Sequence, residues 1–249
     1  WRSKVKKTFG VKYNSHKVHM VRFADDFIVT ASDKETLEAI KQMLESFLRE
    51  RGLTLSMEKT VITYINSGFD FLGWNFRKFK GKLIIKPSSK SMRKVTKKIS
   101  EIIKNNRTTK QEILIQRLNQ VLIGWANYHQ GTCAKKCFGT IDNRTWKILW
   151  KWAKRRHPNK KHQWIVDKYW KEYKGRRWAF RTEKSILFSM SDMPIVRKSQ
   201  MALDKNAFLD KEYFQKRSQK HRQKRKMAMS SNNAAHIGIM RYRCESGMQ

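Results

Sequence analysis

The chain is poor in acid. Its 249 residues hold 20 Asp and Glu against 56 Lys and Arg, a formal net charge of +36. That excess goes far beyond what solubility needs and points to a polyanionic partner. Cysteine is scarce too. Three residues, an odd number with no framework spacing, argue against a disulfide scaffold and for a reducing compartment. No run approaches the roughly 20 apolar residues of a membrane span. No signal peptide is visible, so neither a membrane partner nor secretion is expected. The chain opens at Trp1 rather than Met, which suits a processed, truncated or longer product.

Aromatic residues are plentiful. Nine Trp, seven Tyr and thirteen Phe exclude a disordered basic tail throughout, because disordered chains lack them. The charge is uneven. Residues 1–70 carry a net +3 and residues 71–249 a net +33, so the polyanion-binding surface is expected mainly in the second part.

The densest chemistry lies in Met20–Val29. Val18, Met20, Phe27 and Val29 flank Asp25–Asp26, and the spacing predicts a hairpin over 18–31 with the two carboxylates as its turn. Alone, Asp–Asp is an ordinary turn pair. Two like charges on the lip of a sheet are costly unless a cation shares them. A hard divalent ion takes such oxygens together with substrate phosphates.

Further along, Ser32–Glu35 reads as a capping box that opens a helix with Leu37, Ile40, Leu44, Phe47 and Leu48 on one stripe, ended by Gly52. Thr60–Ile65, Phe69–Trp74 and Lys82–Lys86 read as strands, the last reached through Lys80–Gly81. Pro87 marks a boundary. Three amphipathic helices come next and predict a small bundle. The first carries Met92, Val95, Ile99 and Ile103. The second is opened by a capping box at Thr109–Glu112. The third spans 138–156 and is broken by His157–Pro158.

Residues 146–178 hold six Trp, twelve basic and two acidic residues. Trp152, Trp164 and Trp170 are expected as core anchors. Lys154, Arg155, Arg156, Lys160, Lys161, Arg176 and Arg177 are expected to form a nucleic-acid-binding face beside them. Gln215–Lys226 is a further basic run, and residues 227–249 match no pattern. His129, Cys133 and Cys137 are spaced by four, but they fall in an expected loop and lack the paired spacing of a structural zinc site.

Four ordered stretches carry a family resemblance. Val21–Arg22–Phe23–Ala24–Asp25–Asp26–Phe27 resembles the Tyr/Phe-Ala-Asp-Asp box of reverse transcriptases, in the form typical of group II intron-encoded proteins. Arg51–Thr60 resembles the next palm motif, and Gly68–Trp74 the primer grip. Leu118–Asn119 with Gly124–Tyr128 resembles the thumb, or maturase X, domain. The resemblance implies an α+β chain divided into a partial palm (1–86), a three-helix thumb (87–157), a basic, Trp-rich helical nucleic-acid-binding region (158–226) and an unassigned tail (227–249).

The resemblance also implies roles. Asp25 and Asp26 would be ligands of catalytic Mg²⁺ in a two-metal site. Lys59 would neutralise the nucleotide's phosphates or protonate the pyrophosphate. Phe71, Leu72 and Gly73 would form the primer grip. Reverse transcriptases draw a third metal-binding carboxylate from an earlier palm strand, and the 24 residues before Asp25 contain no Asp or Glu. The metal site is therefore expected to be incomplete, and the chain inactive as a polymerase unless an N-terminal fragment completes the palm. A lone Cys244 and His236 imply no endonuclease domain. The expected partners are group II intron RNA and a DNA primer or target. The expected location is the bacterial cytoplasm, near the nucleoid, or an organellar matrix. The alternative is a non-enzymatic RNA-binding splicing factor that uses the same thumb and basic surface.

Overall fold

The chain folds as two units, residues 1–67 and residues 68–249. The computed structural model describes residues 17–234 apart from Met57, Lys198, Gln200, Leu203, Asp204 and Ala207. Helix and sheet are both present, as expected for an α+β chain.

In the first unit, β1 (His19–Phe23) and β2 (Asp26–Thr30) form the expected hairpin. Its turn is Ala24–Asp25 rather than Asp25–Asp26, because Phe23 pairs with Asp26. The register explains the shift. It sets Met20 against Val29, whereas a turn one residue later would set Arg22 there. A one-residue choice of this kind is decided by which side chains reach the core. Ala24 adopts φ +52° to allow it, and Arg22 Nε donates to its carbonyl at 2.7 Å.

Helix α1 (Lys34–Arg49) begins at Asp33, not Ser32. Asp33 Oδ1 accepts from the Thr36 N–H at 2.7 Å, and the Ser32 hydroxyl donates to Asp33 Oδ2. The carboxylate is the better acceptor at a helix N-terminus, and the serine steadies it. Gly52 ends the helix as expected. Leu53 N–H bonds Leu48 O, Gly52 N–H bonds Arg49 O, and Gly52 has φ +66°, the pattern of a Schellman motif. Ile40 and Leu44 bury their stripe against Val18, Phe27 and Val29. Thr60–Ile65 is not a strand. Val61 and Tyr64 are exposed there, and β-forming side chains do not make a strand without a pairing partner.

The second unit opens with an antiparallel sheet of β3 (Phe69–Phe71), β4 (Trp74–Phe79) and β5 (Lys82–Pro87). Phe69–Trp74 is thus two strands broken at Leu72–Gly73. Both residues of that turn, and both of Lys80–Gly81, have positive φ, as two-residue type I′ hairpins require. Ser88 caps α2 (Ser89–Asn105) by accepting from the Ser91 N–H. Then come α3 (Gln111–His129) and α4 (Lys135–Arg156).

Val95, Ile99 and Ile103 of α2 meet Leu114, Ile115, Leu118 and Leu122 of α3 and Phe138, Ile141 and Leu149 of α4 in one core. Thr109 does not cap α3. Lys110 holds that position without a side-chain bond, and the Thr109 hydroxyl donates to Asn106 Oδ1. Asn106 is buried and also bonds Ile102 O, while the Trp152 indole N–H donates to its carbonyl. This polar knot ties all three helices together.

The region after 157 is not all helical. The short α5 (His162–Tyr169) runs into a β-hairpin, β6 (Trp170–Tyr173) and β7 (Arg176–Phe180), turned at Lys174–Gly175, both with positive φ. Asn119 then clamps the returning chain, donating to Ile186 O and accepting from the Phe188 N–H. Asp142 accepts from the N–H groups of Met190 and Ser191, fixing a 3-10 turn there. The long basic helix α6 (Lys211–Ala234) comes last. Trp152 and Trp170 are buried as expected. Trp164 is not, at 38 % exposed, because it lies on the outer side of α5 beneath the ammonium groups of Lys160 and Lys168.

Candidate nucleic-acid interface and carboxylate pair

Asp25 occupies the second turn position of the first hairpin and Asp26 the first residue of β2; both are exposed. Among the described residues no third His, Cys, Asp or Glu joins them. Their chemistry still suits magnesium. They are hard oxygen donors, adjacent and open to a phosphate-bearing ligand, and one or two carboxylates are the usual protein share of such a site. Lys59 is exposed in a turn, its N–H bonded to Ser56 O at 3.2 Å. Among the described residues no hydrogen bond or ion pair links it to either carboxylate.

In the second unit the Phe71–Leu72–Gly73 turn is clasped from two sides. Tyr128 OH donates to Leu72 O at 2.7 Å, and the Ser88 N–H donates to Gly73 O at 2.9 Å. Burial raises the Tyr128 phenol above its ordinary pKa, which keeps it a donor. Trp74 stacks on Tyr128 with ring centroids 4.5 Å apart and planes 4° from parallel. Behind them Ser91 Oγ accepts from the Trp125 indole N–H and meets His129 Nε2 at 3.3 Å. Two motifs some fifty residues apart in the chain, Gly68–Trp74 and Gly124–Tyr128, are thereby brought into one joint.

Gly73 sits at φ +81° with Ser91 and Tyr128 atoms 3.7–3.9 Å from where a Cβ would stand. There is room for a methyl group, so the backbone sets its cost. Gly73→Ala is expected to destabilise the chain by about 1–2 kcal/mol, the penalty of a left-handed L-residue. Urea unfolding checks this; an unchanged midpoint would mean the turn adapts freely.

The seven expected nucleic-acid-binding cations divide by what they touch. Lys154 and Arg155 are exposed in the last turn of α4, and Lys160, Lys161 and Arg177 are exposed beyond it. Arg156 holds the loop before α3. Its guanidinium donates to Arg107 O and Thr109 O, both at 2.9 Å, and lies over the Trp152 ring. Arg176 pairs with Asp192. His157 bonds Tyr169 OH at 2.8 Å. Burial first, and then Lys168, Arg156 and Lys160, hold its pKa below the usual imidazole value, so it adds no charge to this face at neutral pH. His129 and Cys137 do not sit in a loop: His129 closes α3, and Cys137 lies within α4.

The sequence did not assign Tyr128, Ser91 or His129 to the Leu72–Gly73 turn. The signal was present in the aromatic string Trp125–Tyr128–His129 at helical spacing. What it packs against, the Leu72–Gly73 turn, is visible only in the fold.

Two family models match consecutive stretches of the chain. Residues 3–76 match the model for reverse transcriptase (RNA-dependent DNA polymerase). Residues 92–170 match the model for the group II intron, maturase-specific domain. The first match contains Asp25, Asp26, Lys59 and the Phe71–Gly73 turn; the second runs from Met92 in α2 through α3 and α4 to the end of α5. The chain thus carries a segment similar to reverse transcriptases followed by a segment similar to the maturase-specific domain of group II introns. It is also similar to the ribosomal operon-associated A protein of Euglena longa, at 28 % identity over 136 residues. That alignment takes in 54 % of this chain and 26 % of the relative, so the chain spans about a quarter of that protein's length. No helix among the described residues is long and apolar enough to cross a membrane.

Proposed function

We propose that the chain binds group II intron RNA through the cation-rich surface of its second unit, assisting splicing. We also propose that it contributes Asp25 and Asp26 to RNA-templated DNA synthesis. The observation that carries this reading is the pairing of two features. The reverse-transcriptase segment displays two adjacent exposed carboxylates at a hairpin tip. The maturase segment and the residues C-terminal to it hold most of the net positive charge.

Magnesium bound by Asp25 and Asp26 would draw phosphate oxygens together and stabilise charge developing on them. The chain's own residues supply the rest. Arg22 fixes the turn that presents Asp25. The Leu72–Gly73 turn, locked by Tyr128 and Ser88, offers a rigid ledge for a primer strand. Lys59 would serve as a counter-charge for nucleotide phosphates. A further carboxylate-bearing segment, in cis or from a separate N-terminal chain, would complete the metal site. The compartment that fits is one containing intron RNA, bacterial cytoplasm or organellar matrix.

The test is primer extension on an RNA template with Mg²⁺, using this chain supplemented with a fingers-and-first-palm segment of a group II intron reverse transcriptase. Extension is expected with the native chain and a loss of at least about a hundredfold with Asp25→Ala. Equal extension by both would sink the metal role of Asp25. RNA binding retained without any extension would instead favour a splicing factor that does not polymerise.

A further inference from the structure

Four aromatic rings in the second unit form a continuous ladder. Trp146 and Trp150 stand one turn apart on α4, with ring centroids 5.7 Å apart and planes 7° from parallel. Trp178, from β7, lies over Trp146 at 6.0 Å and 15°. His162, at the start of α5, meets the other end at Trp150, 4.1 Å away. Trp170 sits beneath, tilted against both Trp146 and Trp150 and only 2 % exposed. It gives the row a solid floor.

Core filling accounts for Trp170 and in part for Trp146 and Trp150, which pack against the main core. It does not account for Trp178. That residue is 52 % exposed at the outer end of the row, on the two-stranded sheet β6–β7. An indole held parallel to a second indole, with half its surface in water, is a preformed stacking face. Lys147 and Lys151 follow the two α4 tryptophans in the sequence and Lys161 precedes His162; all three are exposed.

We infer that this ladder is a stacking site for unpaired bases of a single-stranded nucleic acid, with the flanking cations on its phosphates. The inference rests on the proposal that the second unit binds nucleic acid, and adds that part of the ligand is unpaired. A duplex buries its base faces and can meet only the cations. A single strand can place a base on the free face of Trp178, and stacking of this kind is a large share of single-strand affinity. The parallel geometry fixes the face in advance, so little side-chain freedom is lost on binding.

The experiment is fluorescence anisotropy of three labelled 12-nucleotide probes: oligoadenylate RNA, oligoadenylate DNA and an RNA duplex of mixed sequence. They are titrated with the full chain, with Trp178→Ala and with Trp178→Phe, and circular dichroism verifies the fold of each variant. Trp178→Ala is expected to weaken both single strands by about tenfold and to leave the duplex within about twofold. Trp178→Phe, which keeps an aromatic face, should recover most of the loss. The tighter of the two single strands identifies the sugar that accompanies the bases. An equal loss on duplex and single strands, or no loss on any probe, overturns the stacking site while leaving RNA binding intact. Failure of the native chain to bind any probe overturns the RNA-binding proposal, and the ladder's role with it.

Discussion

Raising monovalent salt from 50 to 200 mM is expected to weaken RNA binding by about a thousandfold or more. Each phosphate neutralised by Lys or Arg releases condensed counterions, and six or more such contacts give a loss of this size. The second part of the chain has cations enough. Lys154 and Arg155 on α4, Lys160 and Lys161 just beyond it and Arg177 on β7 are all exposed, and α6 adds the run Gln215–Lys226, with seven Lys or Arg and no acid. The slope of log affinity against log salt should fall by about one for each contacting cation removed. Lys154→Ala with Arg155→Ala should therefore flatten it by about two.

Lys34→Ala with Lys41→Ala should leave that slope unchanged. Lys34 and Lys41 lie on α1 with Glu38 and Glu45 one turn away, at 3.3 and 3.9 Å, so each is already part of a neutral pair. Arg156 is a poor probe, because its removal would also free the carbonyls of Arg107 and Thr109. A flat response of the native chain to salt, or equal effects of the α1 and α4 pairs, would mean that the positive charge is not the binding surface.

What could be read from the sequence, and what could not, divides by the range of the forces involved. The Asp25–Asp26 hairpin, the Gly52 helix stop, the Lys80–Gly81 turn and the three helices of the second unit are set by local chemistry and periodicity, and were legible. The hairpin's register was not, because the choice between Ala24–Asp25 and Asp25–Asp26 depends on Met20 meeting Val29 across the strands. Thr60–Ile65 has the composition of a strand but lacks the pairing that would make it one.

The β6–β7 hairpin is more instructive. Lys174–Gly175 carries the same turn signal as Lys80–Gly81, yet the family resemblance implied a helical region there. In the site, the carboxylates and the cations were legible as residue types. Which cations are occupied was not, since the partners of Arg156 and Arg176 lie 47–49 and 16 residues away. Trp146 and Trp150 announce a shared face by their spacing, but Trp178 joins them only through the fold.

Acidification should loosen the joint that holds the Leu72–Gly73 turn. His129 is fully buried, and burial lowers its pKa from 6.5 to about 4. Its Nε2 meets Ser91 Oγ, while Nδ1 has no hydrogen-bond partner among the described residues. A second ring proton would have nowhere to go. In the unfolded chain the imidazole takes up its proton near pH 6.5; in the folded chain it does so only near 4. Between these values the unfolded state binds more protons, so stability is fully present above pH 6.5 and is lost as pH falls toward 4.

From pH 7.5 to pH 5 the loss attributable to this one group is about 2 kcal/mol, in a window where ordinary carboxylates scarcely titrate. Urea midpoints at the two pH values measure it. His129→Gln, which cannot titrate, should start less stable at pH 7.5 and show a smaller fall; the depressed pKa of His157 leaves a remainder of the same sign. An identical pH dependence in the variant would show that His129 does not resist protonation in the fold. The rings that meet His129 edge-on or tilted are those of Trp74, Trp125 and Tyr128, and Tyr128 is the one that bonds the turn. Protonation at this point should therefore weaken the Tyr128–Leu72 hydrogen bond before the distant helix core gives way.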